Sequence, residues 1–309
     1  MPEIVVAIPS FRRPQSLERL LLAVERLHTS AQVSVLVADN DVEQLEAVAL
    51  CDALRHKGYR WPLTCIVAAE RGIAQARNAL ASHILMHSGA DFVAMLDDDE
   101  WPSTGWLEAF LRVRKVTGAD ALQGAVLRTF EMAPLKQVED CHGIAPMRHR
   151  TGCISMIDST SNVLISRSCF EGLAPPCFDP AFALSGGEDR DFFERLRRQG
   201  KRFAWVDDAV AYAWVPSSRS TFGWVLQRAY RTGNSDMRVF LKHLQRGADL
   251  VPELAKIVGV ALFYPLLLIA AAPFPRWRSR ALCKLFRAAG KAAALSGHRY
   301  DEYAVVHGA

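Results

Sequence analysis

The chain predicts an α/β protein built on a mostly parallel sheet with helices on both faces. Three observations support this. Short β-rich runs alternate with helix-spaced runs through the N-terminal third, each strand-type run ends in charged or amide residues, and 309 residues at 50% hydrophobic content can bury a sizeable core. In such sheets ligands bind beyond the carboxyl ends of the strands.

Ile4 to Ile8 is a run of buried-strand type, and Ser16 to Leu27 follows it with Leu17, Leu20, Leu21, Val24 and Leu27 at helical spacing. Val33 to Ala38 predicts a second strand and Val42 to Leu54 a second helix. Thr64 to Ala68 and Ile73 to His87 repeat the pair, and Asp91 to Leu96 is a fourth strand. The polar residues sit where the crevice rule wants them: Ser10 to Arg13 after strand one, Asp39 to Asp41 after strand two, Glu70 and Arg71 after strand three. After strand four comes MLDDDEWP. From about Gly118 the segments lengthen, with strands expected at Ala121 to Leu127, Asn162 to Ser166 and Arg202 to Trp205. A glycine turn, Gly186-Gly187, feeds an acidic helix start at Glu188-Asp189, with Phe192, Phe193 and Leu196 facing inward. Acids in a first helical turn complement the helix macrodipole, an ordinary structural reason for part of that cluster.

Near the C-terminus, Ile257 to Phe274 is an uncharged apolar run at the lower limit for spanning a bilayer, with Pro265 at its centre. Between Pro275 and Tyr300 the charges are Arg276, Arg278, Arg280, Lys284, Arg287, Lys291 and Arg299, without an acid. Trp277, Ala281, Leu282, Leu285, Phe286 and Ala289 share one helical face there. A basic amphipathic helix beside an apolar run predicts attachment to a membrane surface. The competing expectation is a core helix packed on the domain. Nucleic acid is a poorer partner for the basic segment, because no nucleic-acid motif accompanies it. The net charge is only +4. The seven cysteines form no CxxC pair and read as reduced thiols of a cytosol-facing protein. The N-terminal apolar run is too short, and at Glu3 too acidic, for a signal peptide.

Four consecutive carboxylates, Asp97, Asp98, Asp99 and Glu100, repel one another. Two unit charges ~4 Å apart cost roughly 1 kcal/mol in water and about 4 kcal/mol at a partly screened site. A cation, basic neighbours or solvation must offset this. Asp97 and Asp99 at a strand end can reach one divalent cation, and hard oxygen donors suit Mg²⁺ or Mn²⁺ shared with a diphosphate. A second acid group at Glu188-Asp189 could take a proton while the first serves a departing phosphate. Sugar, phosphoryl and nucleotidyl transfer all fit this inventory.

The ordered set IVVAIPSFRRP, VLVADND, GIAQARN, FVAMLDDDEWP, SNVLISR and LSGGEDRDFFERLRRQG resembles the family 2 glycosyltransferases with a GT-A fold. It is most similar to bacterial exopolysaccharide enzymes of the succinoglycan β-glucosyltransferase type. The resemblance implies a catalytic domain over residues 1–235, with a nucleotide-binding half (1–117) and an acceptor half (118–235), followed by a helical, membrane-associated region (236–309). It also implies that Pro9, Ser10 and Arg12 line the nucleotide pocket, that Asp39 bonds the base, usually uracil, and that Arg77 and Asn78 lie beneath the phosphates. On the same grounds Asp97 and Asp99 hold the metal, Asp99 being the more direct ligand, with Asp98 between them. Glu188 and Asp189 match the family's ED pair, Asp189 being the catalytic base of an inverting single displacement from a UDP-sugar.

Gln227 to Gly233 is an imperfect match to the QxxRW element of processive members, so addition of one sugar is expected. Arg228 and Arg231 are candidates for diphosphate contact, Arg71 for the phosphate region, and Trp101 and Trp106 for stacking on an acceptor sugar. The implied acceptor is a lipid-linked oligosaccharide at the cytoplasmic face of the cell membrane, in a possible polysaccharide assembly complex. Two rivals remain at this point. One is a nucleotidyltransferase, although SFRRP lacks the glycines expected after its first strand; the other is a catalytically silent sugar-binding scaffold.

Overall fold

The computed structural model describes residues 1–300. Its N-terminal elements are β1 (Glu3–Ser10), α1 (Pro14–Glu25), β2 (Gln32–Asp39), α2 (Glu46–His56), β3 (Leu63–Val67), α3 (Ile73–His87) and β4 (Phe92–Met95). The strand–helix alternation of the sequence is therefore present. β5 (Glu100–Pro102), α4 (Trp106–Thr117), β6 (Ala121–Phe130), β7 (Gly152–Ile154), β8 (Val163–Ser166), α5 (Arg167–Glu171), α6 (Glu188–Arg198) and β9 (Phe203–Val215) follow.

The nine strands form one sheet, ordered β3-β2-β1-β4-β8-β6-β9-β5, with β7 on β9. β1 pairs in parallel with β2 and β4, and β2 with β3. The second half mixes directions, since β8 runs antiparallel to β4 and β6 whereas β9 is parallel to β6. Strand β1 shows why its run from Ile4 to Pro9 is apolar. Ile4, Val6 and Ile8 face a core shared with α1, α2 and α4, while Val5 and Ala7 face a second core shared with α3 and α6. A strand covered on both faces has no polar side to show.

β9 is much longer than the expected Arg202 to Trp205. Asp207-Asp208 looks like a turn in sequence, yet the pairing with β6 continues past a register shift between Gly124 and Val126. The two acids leave the sheet to pair with Arg148 and Arg112. Between these two pairs β9 advances from Val206 to Ala211 while β6 advances only from Gly124 to Val126, an irregularity that takes up the surplus residues without ending the strand.

The C-terminal part consists of α7 (Phe222–Lys242), α8 (Leu250–Ala270) and α9 (Pro275–Leu295). α7 runs unbroken through residues 235 and 236, and α9 packs back against it. Small residues allow the approach: a Cβ on Gly233 would lie 2.0 Å from the Arg287 carbonyl oxygen, and one on Gly290 1.9 Å from that of Tyr230. The buried side of α9 is thus Ala281, Ala288, Gly290 and Ala294, whereas Trp277 and Phe286 of the expected apolar face are exposed. α8 has no buried residue, and Gly247–Ala270 is long and apolar enough to cross a membrane. The core-helix expectation for this run is excluded, because a core helix buries its apolar face and here Ile269 is 75% exposed. The final residues, 301–309, of the expected membrane region lie outside the described residues.

Candidate active site

A cavity of about 620 Å³ lies beyond the carboxyl ends of β1 and β4, closed by the starts of α3 and α6 and by one side of α7. Pro9, Ser10, Arg71, Arg77, Asp97, Asp98, Asp99, Glu188, Asp189, Arg228 and Arg231 all line it. Arg12, Asp39, Asn78 and Trp101 do not, and each has a physical reason.

Arg12 has φ +52 and turns away to Asp41 and Glu43, its Nε donating to Asp41 at 2.8 Å. That turn brings in Arg13, whose Nη1 lies 3.0 Å from Asp98 and 3.2 Å from Asp99. Asp39 is buried at the end of β2, and its carboxylate accepts the backbone N–H groups of Asp41, Ala47 and Val48 at 3.1, 3.0 and 3.3 Å. It organises the loop into α2, and its neighbour Asn40 lines the cavity instead. Asn78 exchanges two hydrogen bonds with the backbone of Phe178, pinning the segment before α6. Trp101 stacks on Tyr212 at 5.8 Å, with the Arg19 guanidinium 4.7 Å over its ring. Trp106 is wholly buried, its indole N–H bonded to Asn162, so acceptor stacking is excluded for it.

The crowding in the acidic run is met residue by residue. Asp97 accepts from Arg77 Nη2 at 3.0 Å. Asp98 is buried and accepts from the Ser10 hydroxyl and the Phe11 N–H, both at 3.3 Å, besides Arg13. Burial pushes its carboxyl up to about 6 against the pull of Arg13. Asp99 lies between Arg13 and Arg219, the latter at 3.3 Å. Glu100 turns back beneath the run, accepting the Asp97 N–H at 3.1 Å and the Ser161 hydroxyl. Burial, then the charge of Asp97, raises its carboxyl well above the ordinary value. Basic neighbours therefore offset the repulsion, together with one or more acids held close to protonation.

Arg77 joins the two acid groups. It is 4% exposed on α3, and while Nη2 reaches Asp97, Nη1 donates to Glu188 on α6. Gly186 (φ +72) and Gly187 (φ +106) make the turn that delivers Glu188 here. A Cβ on Gly187 would also lie 3.1 Å from Ser235 and 3.3 Å from Phe182. Burial pushes Glu188 up to about 7, helped by Asp189 and opposed by Arg77. Asp189 is also raised, chiefly by burial, with Arg77 and Arg231 pulling the other way. A carboxyl raised toward neutrality accepts a proton more readily than an exposed one.

Sequence reasoning placed Arg13 at the crevice with the rest of Ser10 to Arg13 but gave it no role, and it missed Arg219 and Arg128. Arg128 is half-buried in the wall and held by the Ala145 carbonyl. His142 also lines the cavity, where desolvation and then the nearby charges of Arg228, Arg287 and Arg128 push its imidazole below the ordinary value.

Among the described residues no three His, Cys, Asp or Glu side chains form a closed metal site. The donor set nevertheless fits a hard divalent cation. Asp97 and Asp99 offer carboxylate oxygens on one cavity wall, which suits an ion that takes its remaining ligands from phosphate and water.

A model of the family described as Glycosyl transferase family 2 matches residues 5–172. The chain is 31% identical over 241 residues to the succinoglycan biosynthesis protein ExoM of Rhizobium meliloti (strain 1021), covering 76% of this chain and 74% of that protein. Among solved structures it resembles the mannosyltransferase PcManGT from Pyrobaculum calidifontis in complex with GDP-Man and Mn²⁺, with TM-score 0.61 and 16% identity over 95% of this chain and 87% of that one. S. aureus TarS 1–349 gives TM-score 0.51 and 12% identity over 97% and 93%. At these identities the structural likenesses are likenesses of fold. The family match includes Asp97 to Asp99 and ends before Glu188.

Proposed function

The chain belongs to glycosyl transferase family 2, and from that premise we propose that it moves a hexose, glucose by preference, from a UDP-sugar to a lipid-linked oligosaccharide. The product would serve exopolysaccharide or cell-surface glycan synthesis at the cytoplasmic face of the membrane. The relative that acts in succinoglycan biosynthesis supports the pathway class. Family membership removes the nucleotidyltransferase reading. A silent scaffold would have no need of a raised, cavity-lining Asp189.

One observation carries the mechanism: Arg77 bridges Asp97 to Glu188, so the strand-end acids and the start of α6 meet at one cavity. Asp97 and Asp99 would hold Mn²⁺ or Mg²⁺, an ion whose charge neutralises a departing diphosphate. Arg13, Arg71, Arg219, Arg228 and Arg231 line the same cavity as further positive charge. Asp189 accepts the proton of the acceptor hydroxyl as that oxygen bonds to the anomeric carbon. The bond from that carbon to the diphosphate oxygen breaks, the nucleoside diphosphate leaves with its electron pair, and the anomeric configuration inverts. Glu188, paired with Arg77, positions that guanidinium and holds the start of α6 against α3.

A panel of UDP- and GDP-sugars tests the donor. Purified full-length protein with Mn²⁺ should bind and slowly hydrolyse a UDP-hexose, and inactivity toward every UDP-sugar would overturn the proposal.

A further inference from the structure

A second cavity, of about 770 Å³, lies between the α8–α9 pair and the catalytic domain. Its size is within the ~300–1,000 Å³ typical of ligand pockets. Its walls are apolar, with Tyr264, Leu267 and Ala271 from the α8 side and Trp277 and Ala281 from α9. Its rim is cationic. Arg280 pairs with Asp140 at 3.1 Å and Arg287 with Asp236, but Lys284 has no acidic partner among the described residues. An apolar trough edged by cations matches an amphiphile with an anionic head; a free sugar or a soluble peptide offers no apolar body for it.

Two further facts specify the occupant. The apolar window of α8, which supplies one wall, is 0% buried, so this wall belongs to the part of the molecule suited to lipid. His142, Thr232 and Arg287 line both this cavity and the one that holds Asp189, so the two are neighbours across these residues. A molecule with its phosphate head near Arg287 and Lys284 can lay its chain along α8 and extend its other end toward Asp189. We propose that this groove seats the lipid carrier of the acceptor, a polyprenyl-type diphosphate, with Lys284 and Arg287 on the diphosphate and Leu267, Ala271 and Trp277 on the first part of the chain. The inference rests on the glycosyltransferase reading above for the direction in which the sugar end points.

The test uses the full chain in nonionic detergent with UDP and Mn²⁺ saturating the donor site, and farnesyl diphosphate as the probe. Farnesyl diphosphate should bind despite UDP. Farnesol alone and pyrophosphate alone should each bind about tenfold more weakly or worse, since each carries half of the recognition. Lys284→Glu, which reverses the rim charge, and Ala271→Trp, which fills the trough, should each weaken the probe by about tenfold or more while UDP binding is unchanged. Retained UDP affinity shows that a variant is folded, and the two variants lie apart, one on α9 and one just past the end of α8, so one misfolded protein does not remove the test. Unchanged probe binding in both variants, complete displacement by UDP, or equal competition by phosphatidylglycerol vesicles would overturn the assignment. Failure of UDP to bind the wild type would instead contradict the donor reading and leave the probe result to be judged by the variants.

Discussion

Replacing Arg77 with Met removes the cation that joins the two acid groups and leaves Glu188, 2% exposed, without its ion-pair partner. In the wild type this carboxyl titrates at about 7 rather than 4.5. The folded state therefore holds a proton that the unfolded chain has lost between those values, and stability falls as pH rises through that window, by about 3 kcal/mol in all. Loss of Arg77 moves the carboxyl further up. Breaking a buried pair on one side costs about 3–5 kcal/mol, which at roughly 2 °C per kcal/mol lowers Tm by on the order of 10 °C at pH 7.5. At pH 5.5 Glu188 is protonated in both proteins, and what is lost is its hydrogen bond to Arg77 together with the part-exposed Asp97 pair, about 1–2 kcal/mol. Adding Glu188→Gln should recover a large share of the pH 7.5 loss, because no charge is then left buried. Thermal unfolding at the two pH values decides it. An equal loss at both, without recovery in the double variant, would refute the reasoning.

Further outcomes follow from the same structure. Gly187→Ala forces a Cβ onto a φ of +106 and toward Ser235, and should cost about 1–3 kcal/mol and displace Glu188 and Asp189, seen as lower Tm together with lower transfer. Gly290→Ala places a methyl 1.9 Å from the Tyr230 carbonyl oxygen and should separate α7 from α9, lowering Tm by several degrees at about 1–3 kcal/mol. Changing exposed Leu262, Phe263 and Leu266 on α8 to Lys should move the protein from the membrane to the soluble fraction with Tm preserved; unchanged sedimentation with membranes would contradict the role given to α8.

The first half of the fold was legible because covered parallel strands and amphipathic helices impose clean periodicities. Ile73 to His87 coincides with α3, and Ile4 to Ile8 lies within β1. What the sequence hid was set by single backbone events. The left-handed turn at Arg12 sends that residue outward and Arg13 inward, a choice that two adjacent arginines do not reveal. Asp39 has the right position after its strand, but three backbone amides consume its carboxylate. Glu100, the acid without an assigned role in the run, lies buried on the Asp97 amide because the chain turns back into the short strand β5. The far end of β9 was masked by two acids at a bulge. The close crossing of α7 and α9 depends on two glycines far apart in sequence, and neither helix alone announces it.

The central claim is that Asp189 takes the acceptor proton at a cavity whose opposite acids serve the diphosphate. Its most direct measurement is the transfer rate of Asp189→Asn at saturating donor, with UDP affinity measured on the same protein. The account predicts a rate lower by about 10²–10⁴-fold with UDP affinity within a few-fold of wild type. Transfer at the wild-type rate with UDP bound normally would contradict it.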